Sequence, residues 1–159
     1  MELDPDNPIV GLCVAGMEAE AQGDPARART LFLRAWDARQ DDLDACIAAH
    51  FVARQADSVD EVLRWNTEAL TRADAVGDRV RSFYPSLYLN LGKSHEDLGD
   101  MEEARRCYDL GDAHASTLPE DGYATMVRRG IAAGQDRTSA TASRCSSSTM
   151  LTSRAARTA

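Results

Sequence analysis

Two Gly-Asp steps, Gly23-Asp24 and Gly99-Asp100, stand 76 residues apart, and each separates one apolar helical stretch from the next. Glycine supplies the left-handed backbone that stops a helix, and aspartate caps the one that follows. The repetition extends beyond these steps. Gly16 and Gly92, Ala28 and Ala104, and Phe32 and Tyr108 keep the same 76-residue spacing. A middle copy fits 34 residues after the first, through Cys46, Ala49, His50 and Ala53 and then Val62 and Ala69, which leaves 42 to the third. Internal repetition at this period describes a chain that stacks one helical unit on another, because a single unit cannot bury its apolar face alone.

Local signals agree. Apolar residues recur with helical period and no stretch sustains strand alternation. Pro25 follows Asp24 at the first helical position, Ser58 and Glu61 have capping-box spacing, and Glu102 and Glu103 place anions at a helix start. The punctuation predicts helices over 8–22, 25–39, 43–55, 59–75, 79–98, 101–116 and 121–133. Pro85 falls inside the fifth, which is expected to be one long, bent helix capped by Asp78. Met126, Val127 and Ile131 are expected to form the apolar face of the last, with Arg128 and Arg129 outside.

The third copy reads Tyr88-x2-Leu91-Gly92-x2-His95, then Ala104-x3-Tyr108-x2-Gly111. The first reads Leu12-x2-Ala15-Gly16-x2-Ala19, then Ala28-x3-Phe32-x2-Ala35. Both resemble the tetratricopeptide repeat, W-x2-L-G-x2-Y followed by A-x3-F. The resemblance spans about residues 8–133 and is similar to that of small stand-alone bacterial members. The second copy departs from it, with His50 at the small position and Asn66 at the aromatic one. What the resemblance implies is an all-α fold: three helix pairs and a C-terminal capping helix in a right-handed superhelix. It also implies a protein-binding scaffold whose first helices line a concave groove.

Carried over by position, that groove comprises Met17 of the first copy and Asp44, Ile47, Phe51 and Arg54 of the second. From the third it takes Leu89, Asn90, Lys93, Glu96 and Asp97. Val10, Cys13, Glu20 and Ser86 share those helices, with Glu20 and Ser86 expected to be solvated. Phe51, Ile47 and Leu89 suggest an apolar centre, and Asp44, Glu96 and Asp97 an acidic rim, suited to a neutral or basic partner segment with an apolar anchor. Trp36 and Trp65, on second helices, are expected to pack.

Charge narrows the alternatives. Residues 1–136 hold all 26 acidic residues and 14 of the 18 basic ones, a net −12, which disfavours nucleic acid and anionic membrane surfaces. No apolar run approaches the ~20 residues of a membrane span, and the acidic N-terminus lacks a signal-peptide core, so a cytoplasmic location is expected. Residues 137–159 carry four Arg, no acid, and mostly Ser, Thr and Ala. Such composition predicts a disordered tail, removable without loss of stability, after a folded domain over 1–136.

No catalytic constellation emerges. The three histidines, His50, His95 and His114, accompany no nucleophile, phosphate-loop or dinucleotide motif, so no enzyme and no cofactor is expected. Cys13, Cys46, Cys107 and Cys145 form no CxxC pair. Cys46 and His50 are four apart on one helix, a legitimate metal half-site, but nothing nearby completes it, so no metal is expected and the thiols are assigned to the core. An exposed apolar end of the stack would offer a surface for self-association.

Overall fold

A computed structural model describes residues 4–155, with side chains through residue 140. Among the described residues it is all-α. The helices are α1 (Pro8–Ala21), α2 (Pro25–Ala38), α3 (Asp42–Val52), α4 (Val59–Val76), α5 (Tyr84–Asp97), α6 (Met101–Ala113) and α7 (Gly122–Ala155). Single 3-10 turns follow α3 and α6, and a longer 3-10 segment, Gly77–Phe83, joins α4 to α5.

The boundaries follow from side-chain chemistry at each end. Asn7 accepts the amide of Ile9 at 2.7 Å, Asp24 that of Arg27 at 3.0 Å, Asp41 that of Asp44 at 2.9 Å and Ser58 that of Glu61 at 3.2 Å. Asp100 and Asp121 do the same for Glu103 and Ala124. Each cap satisfies one of the amides a helix start leaves unpaired. Gly23 and Gly99 close their helices identically, with φ of 77° and 83°. The Gly23 amide reaches Glu20 O and the Asp24 amide Ala19 O; the Gly99 amide reaches Glu96 O and the Asp100 amide His95 O. The 76-residue spacing is thus one stop-and-restart device used twice.

Consecutive helices pack as pairs, α1 on α2, α3 on α4 and α5 on α6, and α7 lies against both α5 and α6. Aromatic rings seated on glycines set the closest approaches. Phe32 is fully buried over Gly16, where a Cβ would meet its ring at 2.2 Å. Tyr108 is fully buried over Gly92, and its other edge rests on Gly134 of α7, where a Cβ would lie 2.4 Å from Cζ. Trp36 and Trp65 meet edge to face at 4.9 Å, which bears out their packing role. No helix among the described residues is long and apolar enough to cross a membrane.

Two expectations need correction. The long, bent helix over 79–98 does not form. Val80 leaves helical geometry at φ −112° and ψ 20°, and the α-helix begins only at Tyr84, with Pro85 in its first turn where a missing amide costs nothing. The folded domain also does not stop at 136. α7 runs on, Thr138 is buried with its hydroxyl on Gly134 O at 2.9 Å, and Arg137 pairs with Glu96 at 2.6 Å. Tyr108 and Glu96 give the helix something to pack on, which composition alone could not show. The helix continues to Ala155, and residues 156–159 lie outside the described residues.

Candidate binding groove

The first helices of the first two pairs, the 3-10 segment before α5 and the start of α7 enclose a cavity of about 470 Å3. Met17 of α1, Ile47 and Phe51 of α3 and Phe83 form its apolar wall, closed on the far side by Tyr123 and Met126 of α7. Phe51 stacks on Phe32 at 5.5 Å, so the anchor of this wall is tied directly to the core. Met17, Tyr123 and Met126 are exposed large hydrophobics, and all three face this one space. Polar groups are few: Arg54, Asp121, Ser82 and the ring of His50.

A second, smaller cavity of about 190 Å3 shares His50 and Arg54 with the first and is of mixed character, with Asn66, Asn90, Lys93, Ser94 and Asp97 set beside Ala53 and Val62. Its origin lies in the irregular middle copy. Phe32 and Tyr108 lie over glycines, whereas in the middle copy the short Asn66 faces His50, and both line this cavity. Asn66 is buried and donates to Ser94 Oγ at 2.9 Å, but its own Oδ1 has no partner and is shielded from solvent. An orphaned acceptor of this kind, beside a partly polar cavity, is a place for a donor from water or ligand.

His50 stands between the two cavities. Its ring packs against Phe51 at 5.3 Å and Phe83 at 4.9 Å, and Nδ1 lies 3.4 Å from Asn90 Nδ2. Burial first, and then the Arg54 charge, push its pKa down to about 4, so the ring is neutral at pH 7. Asn90 Nδ2 can only donate, so the contact fits the neutral tautomer that carries its proton on Nε2 and accepts at Nδ1.

The structure brings together seven of the ten expected groove residues. Met17, Ile47, Phe51 and Arg54 line the apolar cavity, and Arg54, Asn90, Lys93 and Asp97 the smaller one. Three lie elsewhere. Asp44 is buried, accepting from Asn7 at 2.8 Å and from the Gln40 amide at 3.1 Å, which ties the N-terminus to α3. Leu89 packs under α7 against Gly130. Glu96 is held by Arg137 and by the Tyr108 hydroxyl at 2.7 Å, which keep its carboxyl down at about 2. The expected acidic rim is therefore mostly spent inside the fold.

Glu20 and Ser86 are likewise not solvated. Glu20 pairs with Arg54 at 2.7 Å and Ser86 is buried. Val10 and Cys13 are core.

Met126, expected in the closing face of the last helix, instead points into the cavity, while Val127 and Ile131 are buried as expected. Tyr123, Phe83 and Asp121 were not anticipated. They lie outside the three repeated units, and their only signal was the apolar pair Tyr123 and Met126 one helical turn apart. No protein-family model, curated protein or solved structure matches the chain.

Proposed function

We propose that this chain is a non-enzymatic binding module of the tetratricopeptide kind, a right-handed stack of helix pairs whose concave face takes a partner protein or peptide segment. The observation that carries this is the apolar cavity between α1, α3 and α7, where three exposed hydrophobic side chains meet beside a rigid aromatic wall. Clustered exposed apolar surface rimmed by polar groups marks an interaction site, whereas scattered single residues do not. The paired cavities suit a segment with one apolar anchor, seated against Phe51, and an adjoining polar group reaching Asn66 and Asn90. The excess of acid over base through residue 136 favours a neutral or basic segment.

A photo-reactive residue placed at Met126 should capture a partner in the native cell, and the capture should disappear when Phe51→Ala is added. The same residue at Val59, an exposed apolar position away from the cavity, should capture nothing specific. Equal capture from both positions would move the binding surface off the groove.

A second reading rests on the enclosure itself. A space of about 470 Å3 is the size of a small-molecule site, so the groove would serve a ligand-sensing regulatory domain if it takes a free small molecule or short peptide. Thermal-shift screening separates the two, since a small ligand that raises the melting temperature of wild type but not of Phe51→Ala favours the sensor.

A further inference from the structure

Away from the groove, α5 and the start of α6 bring together a histidine, a carboxylate and a thiol. Ligand atoms of His95, Glu103 and Cys107 all lie within 4.8 Å of one another, and no other such trio occurs among the described residues. Cys46 and His50, the half-site visible in the sequence, gain no third member.

The placement has a simple cause. Glu103 and Cys107 are four apart on α6 and project from one face, and His95 stands opposite them on α5, in the last turn before Gly99 folds the chain back. Cys107 is fully buried and forms no disulfide.

Asp100 Oδ2 lies 3.9 Å from His95 Nδ1, close in charge but beyond hydrogen-bond distance. Arg106 donates to Glu103 through Nε at 3.0 and 2.9 Å and through Nη2 to Oε1, which leaves Oε2 the less engaged oxygen. Zinc takes sulfur, imidazole and carboxylate at about 2.0–2.3 Å, so the edge of its tetrahedron is roughly 3.3–3.8 Å. Closing a 4.8 Å cluster to that size needs the three ligand atoms to draw together by about an ångström.

We propose that His95, Glu103 and Cys107 form a zinc site, with water as the fourth ligand. On binding, the Cys107 S–H bond breaks, a Zn–S bond forms, and the proton leaves to solvent; no electron is transferred. The metal would clamp α5 to α6 about one helical turn from their glycine–tyrosine contact, toward the turn that joins them.

The test uses the full chain after treatment with a chelator. Titration with Co2+ should give a thiolate-to-cobalt charge-transfer band that saturates at one equivalent, and Zn2+ should displace it. Cys107→Ser should abolish the band. His95→Gln should weaken binding by more than about tenfold. Cys46→Ser and Cys145→Ser should leave it intact, and circular dichroism should confirm that each variant is folded. The proposal fails if wild type gives no band, if binding is no tighter than in Cys107→Ser, or if the band is lost in the Cys46 or Cys145 variant instead.

Discussion

His50 occupies a place where the repeated pattern calls for a small residue, and its neighbours set how it titrates. A histidine whose folded pKa is about 4, against an ordinary value of 6.5, is held neutral by the fold. The unfolded chain then binds the extra proton first as pH falls. Its contribution to stability is therefore complete above about pH 6.5 and is lost progressively on acidification toward 4, with a slope of at most roughly 1.4 kcal/mol per pH unit. Urea midpoints measured between pH 7 and 4 should fall more steeply for wild type than for His50→Asn, which keeps a polar group for Asn90 but cannot titrate. Parallel curves would show that water in the adjoining cavities solvates the imidazolium. The sequence marked His50 as an exception to the pattern. It could not show the reason, because Phe83 and Asn90 reach the ring from elements that are distant in the chain.

At the scale of elements, ring-on-glycine contacts set the helix spacing, and the two tightest can be tested by adding one carbon. Gly16→Ala would put a Cβ 2.2 Å from the Phe32 ring, and Gly134→Ala one 2.4 Å from Tyr108 Cζ. Both rings are fully buried and cannot retreat, so each substitution should destabilise by about 1–3 kcal/mol in chemical denaturation. Gly11→Ala, with open space at its Cβ, should be neutral or stabilising by up to about 1 kcal/mol, since alanine only improves helix propensity there. A loss at Gly11 as large as at Gly16 would mean that the ring contacts are not what limits the approach.

The end of α7 gives a second test. A chain ending at Asp136 lacks Arg137 and Thr138, and should melt lower than one ending at Ala140, by about 2–4 °C for each kcal/mol lost. Identical melting temperatures would return these residues to the tail.

Helix starts and stops were legible in the sequence because caps and glycines act on their own few residues. The extent of α7 was not, because its second half reads as a solvated segment until Tyr108 is seen to need a second glycine. One signal existed: Gly134 follows Gly92 by 42 residues, as Gly92 follows His50. The failure at Asp44, Leu89 and Glu96 is of a different kind. The helix was right, but which face meets the groove depends on the N-terminus and α7, and the repeated pattern describes neither.

For the whole molecule, the proposed binding turns on whether charge or apolar contact would govern it. Asp44 and Glu96 are engaged inside the fold, Arg54 is paired with Glu20 and Lys93 with Asp97, so little unpaired charge faces the cavities. What remains concentrated there is apolar: Phe51 and Ile47 at the back, Tyr123 and Met126 at the mouth. Phe51→Ala should therefore weaken binding of the captured partner by more than about 1 kcal/mol, mainly through faster dissociation, as expected of a central anchor. Tyr123→Ala should act in the same direction and less, because its ring is exposed at the rim. Charge should appear in the rates instead. Reversing Asp97 and Asp121 to Lys should slow association with a basic segment and flatten its salt dependence, with dissociation little changed, while loss of the Asp121 cap on Ala124 also lowers the melting temperature. Asp44→Lys should behave differently again, lowering stability rather than association, since it removes the acceptor for Asn7 and the Gln40 amide. Surface-based kinetics on these four variants, each checked for melting temperature, resolves the matter. If the Asp97 and Asp121 reversals cost more affinity than Phe51→Ala, the groove is an electrostatic site and the apolar wall is only its floor.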